Sequence, residues 1–297
     1  MSICPSSVSS KADSVTQQFE VQNPVASEHK VLSKKHHWTP VFFLSQFVDP
    51  SQPDCFWAHY KGSKKWNRAK PRSIGYENDA NSIIDDSGRK TDAFEQRLAR
   101  EVDEPSARVL KKAINDRHQL TSEDYENLLR FILFLAGRNP GLQKSVISEY
   151  VQRRQDDHEL ETEVNEWCDS IESDRGQVNS QDFFKPSLLG AIPTFVHNQF
   201  KYLSGAKWHF ISTTPDKPFV VSDKPVNAEL GDDVRLITCP LSSLLAVIII
   251  AGGDYNDSYS HDEEVSMLNM RTIEKAERWI ACCQQSFPGD NFLDKWM

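Results

Sequence analysis

Hydrophobic spacing changes period several times along this chain of 297 residues, and each change marks an element. Residues 1–35 show no period and read as a mobile tail, with a folded part from residue 36 onward. Phe43, Leu44 and Phe47 recur at helical spacing behind Pro40, which suits the first turn of a short helix. Cys55 to Tyr60 reads as a strand, and Gly62-Ser63 as a turn into Lys64-Lys65-Trp66. From Thr91 the period lengthens to that of a helix through Phe94, Leu98 and Val102, with Asp92 and Glu95 spaced as a cap. Pro105 breaks or restarts it before Val109, Leu110 and Ala113. A second helix opens at Thr121-Ser122-Glu123-Asp124 and is apolar almost all round from Leu128 to Leu135, which places it centrally in a core. It ends at Gly137-Arg138-Asn139-Pro140.

A charged helical surface segment from Leu142 to about Glu172 follows, then a helix from Phe183 to Leu203 with a kink at Pro193. Next the period shortens. Residues 208–211, 218–221, 234–237 and 245–250 read as four strands, and turn signals at Thr214-Pro215-Asp216 and Gly231-Asp232-Asp233 favour antiparallel pairing. Asp262 to Cys283 closes the chain as a helix. Helices followed by strands predict an α+β fold: a helical N-terminal and middle part on an antiparallel sheet of about four strands, with a C-terminal helix. Residues 36–297 are expected to form a single domain.

Composition narrows the class. The 16 Phe and 7 Trp supply a sizeable core, and the longest apolar run, Leu244 to Ala251, is far short of a bilayer span. The net charge is −9, yet residues 1–75 carry 10 basic against 5 acidic side chains, so a basic N-terminal region meets an acidic body. Six cysteines without a CxxC pair, and no apolar leader, point to free thiols in a reducing cytoplasm. No membrane partner is expected.

Five motifs in one order carry a resemblance. They are His37-x-x-Pro40-x-x-x-Leu44-x-x-Phe47, a helix with Glu95, Leu98 and Glu101, Arg138-Asn139-Pro140, Ser222-Asp223-Lys224-Pro225-Val226, and Pro240-Leu241-Ser242. On these the chain resembles the bacterial and fungal family known as domain of unknown function 4238, from about His36 to Ala281. The resemblance implies one continuous fold and brings no activity with it.

The candidate chemistry rests on His37, Glu95, Arg138 and Asp223, taken as catalytic candidates. An acid at the end of an apolar strand, as Asp223 is, stands where catalytic carboxylates often do; equally, it can make an Asx turn before Pro225. Arg138 after an apolar helix can clamp a phosphate, or serve as a helix-terminal cation paired with Glu95 or Glu101. His37 can act as general base or metal ligand, or simply bond to backbone. No HExxH, Walker A loop, GxGxxG or GxSxG exists, so no cofactor or metal is named. Lys61 to Arg72 holds six basic residues and no acid; Lys64, Lys65, Trp66 and Arg68 are its nucleic-acid-binding candidates, against the alternative of a solvated hairpin. Two function classes therefore stand: a hydrolase or nuclease acting on nucleic acid or a phosphorylated small molecule, and a non-catalytic binding or regulatory module whose buried His/Arg/Asp network is structural.

Overall fold

A computed structural model gives the fold and describes residues 34–85, 87–139, 158–171, 178, 180–230, 235–253 and 259–293. The expected tail falls almost wholly outside them, except that Lys35 belongs to a strand. That strand, β1 (Lys35–His37), pairs antiparallel with β4 (Tyr76–Asn78). Between them α1 (Val41–Leu44) starts on the Pro40 carbonyl, which accepts the Leu44 N–H at 3.0 Å, and a 3-10 turn continues to Phe47. Phe43, Leu44 and Phe47 are fully buried, as their spacing requires. Gly75 closes this corner at φ 69°, where its carbonyl receives the Thr39 N–H and an added Cβ would lie 3.2 Å from Thr39 Cβ.

Two four-stranded antiparallel sheets follow from the pairing. One contains β7 (Lys207–Ser212), β11 (Leu245–Ala251), β10 (Arg235–Ser242) and β9 (Asn227–Leu230), in that order. The other runs β3 (Trp66–Ala69), β2 (Phe56–Tyr60), β12 (Trp279–Cys282) and β8 (Val221–Ser222). Ile83–Ile84 and Lys90–Thr91 (β5 and β6) make a small separate hairpin. The second sheet corrects three expectations. Residues 218–220 are not strand, and β8 pairs with β12 instead of joining β7. The last helix stops at Lys275, and Trp279–Cys282 is a buried strand, because Trp, Ile and Cys there bury on both faces of a sheet. β10 also runs on through Pro240, tolerated because the register slips there between Pro240 and Ser242.

Helices α2 (Ala93–Leu98) and α3 (Glu104–Asp116) are joined by a π turn over Ala99–Asp103. Pro105 has no N–H for the Glu101 carbonyl, and the widened turn absorbs that loss without ending the helix. Asp92 does not cap α2 as its spacing with Glu95 predicts: its carboxylate accepts from Gln96 Nε2 at 2.5 Å, and Glu95 turns elsewhere. Helix α4 (Ser122–Gly137) is capped by a reciprocal Thr121–Asp124 pair. α5 (His158–Ser170) covers the described part of the charged segment; residues 142–157 and the turn at 231–233 lie outside the described residues. α6 (Ser180–Leu203) contains both Pro186 and Pro193, and α7 (His261–Lys275) is capped by Ser260 and Glu263.

One hydrophobic cluster joins α1, α3, α4 and α6 to both sheets, with Phe43, Phe131, Leu133, Phe56 and Ile249 among its members. Alternation along β2 explains how both faces of the second sheet are used: Phe56 and Ala58 face that cluster. On the other face His59, Trp66 and Ile280 meet in cross-strand register. Ile280 and Trp66 there meet Phe287 and Leu293 in a smaller cluster beneath α7. Asn269 of α7 ties the layer together: it accepts the Val220 N–H at 3.0 Å and donates to the carbonyls of Pro218 and Pro288.

Candidate functional site

The end of α4 is where the candidate residues converge. Arg138 caps that helix, and its side chain is 1% exposed. Its guanidinium grips Asp103 with two bonds, Nη2 to Oδ1 at 2.6 Å and Nη1 to Oδ2 at 3.2 Å. Asp103 reaches it from the last residue of the π turn, so the widened helix has a definite consequence: it presents a carboxylate to a buried cation.

Glu95 stands in the same cluster. Asn81 Nδ2 donates to Glu95 Oε2 at 2.5 Å, and the Asn81 N–H donates to His36 Nδ1 at 2.8 Å. That second bond leaves the proton of a neutral His36 ring on Nε2. Burial holds the Glu95 carboxyl above the ordinary glutamate range and Asp103 adds to the effect, while the Asn81 bond, His36 and Arg138 act against it. Residues His36, Asn81, Glu95, Asp103 and Arg138 thus form one polar cluster from five segments: β1, the turn before β5, α2, the π turn and the end of α4.

His37 lies apart. A strand sends successive side chains to opposite faces, so of the two imidazoles only one can enter the core, and it is His36, fully buried. His37 rests against the Tyr76 ring at 5.4 Å and bonds to the Arg72 backbone; burial lowers its pKa. Asp223 is close to the Arg138 corner through its neighbour, since Asn139 Nδ2 donates to the Asp223 carbonyl at 2.9 Å. Its carboxylate points to the start of β12 instead, accepting the N–H groups of Glu277 at 3.0 Å and Trp279 at 3.4 Å. Burial raises the Asp223 pKa, and those backbone bonds oppose the rise. Among the described residues, no hydrogen bond joins His37 to Arg138 or Asp223.

The structure brings Glu95 and Arg138 together, ties the backbone of Asp223 to Asn139 beside Arg138 while its carboxylate points away, and leaves His37 on a neighbouring face. Sequence reasoning missed His36, Asn81 and Asp103. Alternation within β1 was the available signal for His36; Asp103 needed the π turn, which Pro105 alone announces.

On the basic hairpin, Lys64 and Lys65 are exposed at the head of edge strand β3. Arg68 is occupied: it bonds Asp49 at 2.7 Å and stacks over Trp57 at 4.0 Å. Trp66 is half-buried, edge-on to His59 at 5.2 Å and to Phe287 at 6.1 Å. Its ring is therefore used by the fold. Among the described residues no three His, Cys, Asp or Glu side chains are gathered as a metal site, and no helix is long and apolar enough to cross a membrane.

A family model described as "Protein of unknown function (DUF4238)" matches residues 35–286. The chain belongs to the DUF4238 family. No curated protein and no solved structure matches it. The match begins at β1 and ends beyond β12, so the DUF4238 region contains both four-stranded sheets and the whole Arg138 cluster.

Proposed function

We propose that this DUF4238 chain is a non-catalytic binding module, its His/Glu/Arg/Asp network structural and its ligand a phosphate-bearing polyanion. The observation that carries the reading is the Arg138 fork: both terminal nitrogens of this buried guanidinium already hold Asp103, so a phosphate would have to displace a bidentate carboxylate. Asp223 is likewise engaged, with two backbone N–H groups on one oxygen. Such groups fix the junction of α4, the π turn, β8 and β12.

Binding then falls to charges not spent on the fold. Among the described residues no carboxylate pairs with Lys64, Lys65 or Lys70, all exposed along β3. Because Trp66 is committed to Phe287, contact is with phosphates and not by base stacking. The test is anisotropy of a labelled single-stranded oligonucleotide at rising salt. Three lysine contacts give a slope of log K against log salt of about −2, and reversing Lys64 and Lys65 to Glu should remove most of it. A slope unchanged by that variant refutes the assignment.

One observation favours the enzyme reading, in which a hydrolase or nuclease acts on the same ligand class. Glu95 is held above its ordinary pKa beside His36, which is how a general acid is prepared. Hydrolysis of the bound oligonucleotide, lost in Glu95→Gln with binding intact, is what that reading requires.

A further inference from the structure

Where the start of α4, the end of α6 and edge strand β7 meet, the surface opens into a cleft that shares no residue with the Arg138 cluster or the basic hairpin. Tyr125, Phe200 and Trp208 line it with their rings, together with the buried Leu129 and Leu203. Its empty volume is about 320 Å³, counting the part open to solvent, so it suits a compact group whose remainder stays in water. Tyr125 meets Trp208 edge to face, with centroids 5.1 Å apart and planes at 72°, and the two rings stand as adjoining walls. Phe210 stacks on Trp208 at 6.0 Å and holds that wall in place before any ligand arrives.

The charge of the cleft has one sign. Glu126 is the charged side chain of the lining, and among the described residues no hydrogen bond or ion pair engages its carboxylate. The last turn of α6 borders the cleft at Phe200 and Leu203, and the carbonyl end of a helix is partly negative. The positive end of α4 is offset by Glu123 and Asp124 in its own first turn. Arg130, one turn beyond Glu126 and outside the lining, stands 5.9 Å from the Phe200 centroid, so that ring already attracts a cation at the limit of the cation–π range. We propose that this cleft binds a quaternary ammonium head group, with Tyr125, Phe200 and Trp208 as its aromatic walls and Glu126 as its counter-charge.

The lining selects a quaternary over a primary ammonium. A lysine-type ammonium brings three N–H donors, and aromatic walls would leave some of them without an acceptor, which is costly once water is excluded. A trimethylated nitrogen has no N–H to satisfy, and its charge reaches the rings through methyl groups that pack against them. An anion would meet the Glu126 carboxylate, and a neutral alkyl group would gain nothing from it.

The test is calorimetric titration of the full chain with choline and with its uncharged isostere, in which a tert-butyl group replaces the trimethylammonium. Choline should bind, and the isostere should bind at least about tenfold more weakly. A short peptide carrying trimethyllysine is the third ligand: binding tighter than that of choline assigns the head group to a protein tail, and weaker binding assigns it to a small molecule. With the tighter ligand, Tyr125→Leu keeps an apolar side chain without the ring and should weaken binding by about 5–30-fold. Glu126→Gln should weaken it at low salt, and by less as salt rises. Circular-dichroism melting checks that each variant is folded; should Tyr125→Leu fail to fold, Glu126→Gln, whose parent carboxylate makes no bond within the fold, still decides. No binding by either choline or the peptide, an isostere that binds as tightly as choline, or a folded variant that binds as wild type does at low salt overturns the proposal.

Discussion

Replacing Asp103 with Ala removes the partner of a guanidinium that is almost wholly buried, and the size of the resulting loss tests whether that pair holds the fold. Breaking a buried pair by deleting one partner costs about 3–5 kcal/mol, whereas exposed pairs contribute about 0–1 kcal/mol. Arg138 is 1% exposed and Asp103 23%, so the pair sits nearer the buried limit, at about 3 kcal/mol. The converse variant, Arg138→Met, leaves behind a carboxylate that water can reach, and should cost about 1–2 kcal/mol. The order matters more than either number: Asp103→Ala is worse than Arg138→Met. Urea unfolding at neutral pH, followed by tryptophan fluorescence, gives both midpoints. In a thermal melt the Asp103 variant should lose about 6 °C, at roughly 2 °C per kcal/mol for a chain of this size. A loss under about 0.5 kcal/mol for Asp103→Ala, within the range of ordinary surface changes, would refute the structural role of the pair.

Asp223→Ala should cost about 1–3 kcal/mol for each N–H of Glu277 and Trp279 it strands, whereas Asp223→Asn, which keeps the accepting oxygen, should stay within about 1 kcal/mol; unfolding midpoints of the two compare directly. Glu95 has a raised pKa in the folded state, so its contribution to stability is fully present below the unfolded value and lost as pH rises through the folded one. Wild type should therefore gain on Glu95→Gln as pH falls from 7 toward 4, and a pH-independent difference between the two would exclude the shift. Gly75→Ala places a Cβ at positive φ and 3.2 Å from Thr39, and should destabilise by at least about 1–2 kcal/mol by the same measure. If residues 36–297 are one domain, as we propose, fluorescence and circular dichroism should report one coincident transition, and two separated transitions would count against it.

What was legible in the sequence was whatever a local period could carry. Phe43, Leu44 and Phe47, the all-round apolar α4, and strands β7, β10 and β11 follow from spacing, whereas β9 (Asn227–Leu230) does not. The second sheet was hidden because its strands come from distant parts of the chain: β2 and β3 near the start, β8 at two residues, and β12 behind a helix whose pattern runs into it. Arg138, Glu95 and Asp223 were found as charged groups at the ends of apolar elements. Their partners were not, since a residue such as Asn81 becomes important only when folding brings it against both His36 and Glu95. Of the two adjacent imidazoles, strand alternation sends His36 into the core and leaves His37, the one in the family motif, outside it.

The most direct test of the account is the melting shift caused by a short single-stranded oligonucleotide in three proteins: wild type, Arg138→Met, and the Lys64→Glu/Lys65→Glu variant. A ligand at a hundred times its Kd stabilises by about 2.7 kcal/mol, well above the resolution of a melt. The binding-module reading predicts the same upward shift in wild type and Arg138→Met, and none in the lysine variant. A shift kept by the lysine variant and lost in Arg138→Met would place the phosphate on the guanidinium and contradict it, and no shift in wild type would contradict it as well.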